Sequence, residues 1–185
     1  MMEKLIFVSI PRNASRSVHA AFNGEFVKYN HLTASRIRVQ EPNAKLFAVV
    51  REPISRIASW FYWHKINHPD IKQYQYPNID AWVAAGMPHH WVDTPHLKNI
   101  DPLSQEGYIR NPETGEREVD HLIRFENMPA ELNSLRKQYN LPPVALPHIG
   151  AIKKENLNPH SVEKITQRFK PEWDYITSIL SNTKG

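Results

Sequence analysis

The chain has 185 residues, the size of one domain spanning 1–185, and its 41% apolar content excludes a disordered or a membrane-embedded composition. It contains no cysteine, so disulfides, thiolate metal sites and cysteine nucleophiles are excluded. The formal charge of +4, from 23 basic and 19 acidic residues, suits an anionic ligand better than nucleic acid, which draws a denser basic stripe.

Leu5–Ile10 is short, apolar and β-branched, and reads as a buried strand. Its apolar run is short, follows an acidic residue and leads into proline and arginine. That does not read as a signal peptide, and a cytoplasmic protein is expected. No apolar run approaches the length of a bilayer span, so no membrane partner is expected. Pro11–Ser15 breaks the strand, and Val18, Ala21 and Phe22 then fall at helical spacing. Residues 25–29 (EFVKY) read as a second short strand, and Thr33 as the cap of a short helix through Arg38. Lys45–Val50 is apolar throughout after its lysine, as in a central parallel strand. Pro53 then opens a helix whose apolar face is Ile54, Ile57, Ala58 and Phe61.

From His68 to Asn111 the chain is irregular, with one short helix expected at Asp80–Ala85. Pro112–Glu116 reads as a turn, Glu118–Phe125 as a strand, and Pro129–Tyr139 as a helix. Residues 140–150 (NLPPVALPHIG) read as loop. Two closing helices are expected, Ser161–Phe169 and Glu172–Leu180, separated by Pro171. Alternating strands and helices predict an α/β fold of three layers with a central parallel sheet.

Two motifs carry candidate chemistry. Pro11–Ser17 (PRNASRS) lies between a strand and a helix, where first-turn N–H groups and a partial positive charge suit a phosphate. Arg12 adds a cation, and Ser15, Arg16 and Ser17 add donors. A plain capped loop fits the same residues equally well. The Walker pattern is absent, which disfavours an ordinary P-loop kinase or ATPase. In Val49–Trp60 (VVREPISRIASW), Arg51 leaves a buried strand at the edge where α/β proteins place ligands. Ser59 lies two helical turns on, so both side chains can reach one phosphate. An arginine capping carbonyls beside a packed serine is the competing reading.

Together these segments resemble the sulfotransferases that use 3′-phosphoadenosine 5′-phosphosulfate (PAPS), in their carbohydrate-acting branch. FVSIPRNASRSV is similar to the family's 5′-phosphosulfate loop, IPKTAGTS, and FAVVREPISRIASWF to its 3′-phosphate motif, VRDPYERLVSAY. HLTASRIR resembles the family stretch HxTAxEIR, and Tyr108–Asn127 resembles its later strand ending in RFEN. The matches keep the family order and cover residues 5 to 128, roughly.

The resemblance implies a P-loop-like strand–loop–helix phosphate site in a single sulfotransferase-like domain. PAPS would be the sulfuryl donor and the 3′,5′-bisphosphate PAP the product, with no metal. The acceptor would be a carbohydrate or small molecule. Arg12, Asn13, Ala14, Ser15, Arg16, Ser17 and Val18 would hold the 5′ side of the nucleotide, and Arg51 and Ser59 its 3′-phosphate. Arg12 would also stabilise charge on the leaving group. His31, in the family's histidine-containing stretch, would be the general base, the competing reading being a cap for the helix after it.

Three positions depart from the pattern: Arg12 stands for lysine, Ser15 for glycine and Glu52 for Asp or Asn. Serine is costly if its position needs φ > 0, and Glu52 is a weaker helix cap. The alternatives are a non-catalytic nucleotide- or glycan-binding protein of this fold, or a P-loop-type small-molecule kinase.

The histidines at 64, 68, 89, 90 and 96 lack metal-site spacing and read as surface or loop residues. Trp60–Trp63 read mostly as core, with Tyr62 or Trp63 available to line a cleft. Lys153 and Lys154 read as a solvated pair.

Overall fold

The computed structural model describes residues 4–22, 31–91, 97, 100–147 and 156–182. The expected strand at 25–29, His96 and the pair Lys153 and Lys154 lie outside them. The chain is mixed α/β. Three parallel strands, β1 (Leu5–Val8), β2 (Lys45–Val50) and β3 (His121–Arg124), lie in the order β1-β2-β3. Phe7 pairs with Phe47 and Val50 with Arg124, so all three strands end at one edge of the sheet.

Alternation along each strand builds the layers. Leu5, Phe7, Phe47, Val49 and Ile123 face helices α1 (Ser15–Ala21) and α6 (Met128–Gln138). Ile6, Val8, Leu46, Ala48 and Leu122 face α2 (Ala34–Gln40), the short α5 (Glu106–Ile109) and the C-terminal part of α7 (Pro159–Asn182). A third apolar cluster joins α3 (Pro53–Asn67), α4 (Ile79–Ala84) and the N-terminal part of α7 through Phe61, Trp82, Ile165 and Phe169. No helix among the described residues is long and apolar enough to cross a membrane.

Most expected elements stand within a few residues. Thr33 caps α2, its hydroxyl accepting from Arg36 N at 3.4 Å. Glu52 caps α3 better than its length suggests: its two carboxylate oxygens accept from Ile54 N and Ser55 N, each at 2.8 Å.

Two expectations need correction. β3 starts later than Glu118, because Glu118 N bonds the Ile109 carbonyl and Arg117 bridges Arg110 antiparallel across the turn at 112–115. The two closing helices are one, α7, with Pro171 inside it. Proline costs about 3 kcal/mol in a helix interior. Here buried Phe169 before it and Ile176 after it belong to two different cores, and each contributes about 1.5–3 kcal/mol by leaving water. Glu172, next to the proline, is also buried and pinned: its Oε2 accepts from Ser104 Oγ, Gln105 N and Glu106 N.

Candidate functional site

The strands end where the loop Ser9–Ala14 begins. Asn13 N bonds Ile10 O at 3.3 Å, closing a tight turn. Arg12 and Ala14 take left-handed backbone, φ 67° and 61°. Each costs roughly 1–2 kcal/mol in a non-glycine residue. Ser15, where that strain was expected, is instead the first residue of α1, and its hydroxyl donates to Ile10 O at 3.0 Å.

The loop is held by side chains from three directions. Asn13, fully buried, donates through Nδ2 to Val49 O at 2.8 Å and to Gln105 Oε1 at 2.7 Å. Arg51 Nη1 donates to Arg12 O at 3.2 Å, and Arg56 Nε to Pro11 O at 3.2 Å. Arg56 is buried and also donates to the carbonyls of Pro102 and Leu103. The carbonyls of Ile10, Pro11 and Arg12 accept from side chains, and the N–H groups of Ala14, Ser15 and Arg16 find no acceptor among the described residues.

One stripe of α3 receives the two expected phosphate-binding arginines. Ser55, Ser59 and Trp63 recur every fourth residue and so share a helix face. Arg51 Nε donates to Ser55 Oγ at 3.0 Å, and its guanidinium lies 4.0 Å from the centre of the Phe125 ring. Arg12 donates to Ser59 Oγ from Nε at 3.2 Å and Nη2 at 3.1 Å, over the Trp63 ring at 5.1 Å. The structure therefore brings Arg12, Arg51 and Ser59 together, but Ser59 serves Arg12 rather than Arg51.

Among the described residues, no carboxylate pairs with Arg12, Arg51 or Arg56. Burial and then the charges of Arg16, Arg51 and Arg56 push the Arg12 guanidinium down to about 10. Burial lowers Arg51 too, partly opposed by Glu126 and Glu52. Burial also lowers Arg56, with Glu172 opposing it. The site is thus electropositive beyond what its own side chains neutralise.

His31 sits at the start of the same loop. Its Nδ1 lies 2.6 Å from Ser9 O and 3.3 Å from Ser9 Oγ, and its ring 5.8 Å from that of Trp91. An Nδ1–H donated to a carbonyl leaves Nε2 as the basic atom of the neutral ring. Capping of α2 falls to Thr33, so His31 is not its cap.

The other histidines require a correction. His64 is buried in α3 rather than on the surface, stacked on Tyr74 at 4.6 Å and bonded through Nδ1 to Trp60 O at 2.8 Å. Burial, then His90, His68 and Arg12, against the Trp60 bond, bring it down to about 3. Among the described residues, no group of three or more His, Asp or Glu is arranged to hold a metal.

Ser55, Arg56, Gln105, Phe125 and Glu172 join the site without having been expected there. Only Ser55 left a signal, its spacing from Ser59 and Trp63; a lone glutamine in an irregular stretch leaves none. A separate cleft of about 400 Å³ lies between Ile100, Glu106, Arg110 and Gly115. Its one lining arginine, Arg110, is paired with Glu106, Asp101 lines it as well, and none of the clustered arginines does. Comparison with models of known protein families gives no match to this chain, and comparison with curated proteins gives none either.

Proposed function

We propose that the chain is a cytoplasmic sulfotransferase that moves a sulfuryl group from PAPS to an acceptor hydroxyl of a carbohydrate or small molecule. The observation that carries this reading is the meeting of Arg12 and Arg51 at one sheet edge, around the loop Ser9–Ala14, with no carboxylate partner among the described residues. Two such cations suit a ligand with two separate anionic groups.

In this reading Arg12 and the N–H groups of Ala14, Ser15 and Arg16 hold the 5′-phosphosulfate. Arg51 holds the 3′-phosphate. Ser59 Oγ accepts from Arg12 and keeps its own proton to donate to a phosphate oxygen. The PAPS molecule supplies an activated sulfur. The acceptor oxygen forms its bond to that sulfur as the bond from sulfur to the bridging oxygen breaks. His31 Nε2 takes the hydroxyl proton, and Arg12 stabilises the charge left on the bridging oxygen. The match of four segments to family motifs, in family order, supports the same reading.

The test is to incubate the protein with PAPS and a panel of sugars, phenols and amino alcohols, and to follow PAP release. PAP formation that depends on one class of acceptor is expected. Tight PAP binding with no acceptor-dependent release would point instead to a non-catalytic nucleotide-binding protein.

A further inference from the structure

Gln105 joins the two candidate phosphate loops through one side chain. Its Oε1 accepts from Asn13 Nδ2 at 2.7 Å, in the loop after β1, and from Arg51 N at 2.8 Å, at the end of β2. Its Nε2 donates to Arg51 O at 2.8 Å, so both main-chain polar groups of Arg51 end on the same amide. Gln105 is fully buried, and every polar atom of its side chain is used. Its own backbone N–H is held at 2.9 Å by Glu172 Oε2, which reaches it from α7. Asn13 lies 92 residues away in sequence and Arg51 54 residues away, so nothing local requires this convergence.

A core would be served as well by an apolar side chain of this size. An amide with three satisfied bonds instead sets a distance and an orientation. What it sets is the position of Arg51, which approaches Arg12 O, relative to the turn that carries Arg12. We infer that Gln105 is a positioning residue that fixes the separation of the two phosphate subsites, so that one bisphosphate ligand spans both. The inference rests on the PAPS reading above.

The consequence is a chelate effect. A ligand that engages both subsites gains from having its second phosphate delivered at the right place, and that gain depends on the spacing. A ligand with one phosphate does not feel the spacing. Gln105→Met keeps the volume and removes all three side-chain bonds. By calorimetry, it is expected to weaken PAP by about tenfold or more, while AMP and adenosine 3′-monophosphate each change by less than about threefold. Gln105→Glu retains the acceptor facing Asn13 and Arg51 N but loses the donor to Arg51 O. It is expected to give the same pattern, and serves if the methionine variant does not fold.

Unchanged PAP affinity in a folded variant overturns the inference, as does an equal loss for all three nucleotides, the mark of a merely structural residue. Wild-type protein that binds PAP no better than AMP overturns the PAPS reading itself, and the inference with it.

Discussion

Arg12 donates two hydrogen bonds to the Ser59 hydroxyl, 47 residues away, and so lies along α3 with its charge held at the mouth of its own loop. The bond is a positioning device for a cation that burial and three neighbouring arginines would otherwise expel. Arg12→Ala should weaken PAP binding by about 1.5–3 kcal/mol, the range for hydrogen bonds to charged groups. Ser59→Ala should cost less, about 1 kcal/mol, since it removes one neutral hydroxyl. Because the residues touch, the double variant should lose less than the sum of the two. Calorimetry on the four proteins of this cycle checks the coupling, and simple additivity would contradict it.

His31 is held by Ser9, three residues before Arg12, while Thr33 caps the helix that follows. A general base acts on the chemical step alone, so His31→Ala should lower kcat by about 10²–10⁴-fold. PAP affinity should hardly change, whereas Arg12→Ala should harm affinity and rate together. Steady-state kinetics with an acceptor found in the screen, with PAP titrations alongside, separates the two. Near-full kcat in the mutant, with chemistry limiting, would remove His31 from the mechanism.

Buried His64 makes stability depend on pH. Its ordinary value of 6.5 falls to about 3 in the folded chain, mainly through burial among Trp60, Tyr74 and His90. Between these values the unfolded chain binds the proton and the folded chain does not. The contribution is therefore complete above pH 6.5 and is lost as pH falls towards 3, at up to about 1.4 kcal/mol per pH unit. His64→Phe keeps a ring against Tyr74 and removes the titrating group. Urea midpoints between pH 7 and pH 4 should fall less steeply in this variant than in the wild type. Equal slopes would show that His64 does not carry the dependence.

The strands β1 and β2 and the starts of α2 and α3 were legible because their signals are local. Leu5–Val8 and Lys45–Val50 are apolar runs, and Thr33 and Pro53 mark helix starts. The break expected at Pro171 failed because proline reports a local cost, while Ile176 and Glu172 supply a tertiary gain that has no local mark. His64 was misjudged for a similar reason: without a metal-site spacing it read as a surface or loop histidine, but the ring packs inward on Tyr74, a contact with no local mark. Of the site, Arg12, Arg51 and Ser59 were legible as members but not as partners. The pairing of Arg12 with Ser59 depends on the path of α3 past the loop. Gln105 and Glu172 act through contacts far apart in sequence.

The Arg51 guanidinium is braced by Ser55, the Arg12 carbonyl and the Phe125 ring. If it holds a 3′-phosphate, that phosphate must add affinity only when Arg51 is present. The decisive measurement is a calorimetric comparison of PAP with AMP on the wild type and on Arg51→Ala. PAP should bind the wild type at least about tenfold more tightly than AMP, as a charged hydrogen-bond pair of about 1.5–3 kcal/mol requires. Arg51→Ala should erase most of that preference while leaving AMP affinity nearly unchanged. Equal affinity of the wild type for the two nucleotides, or a PAP preference that survives in Arg51→Ala, would contradict the account.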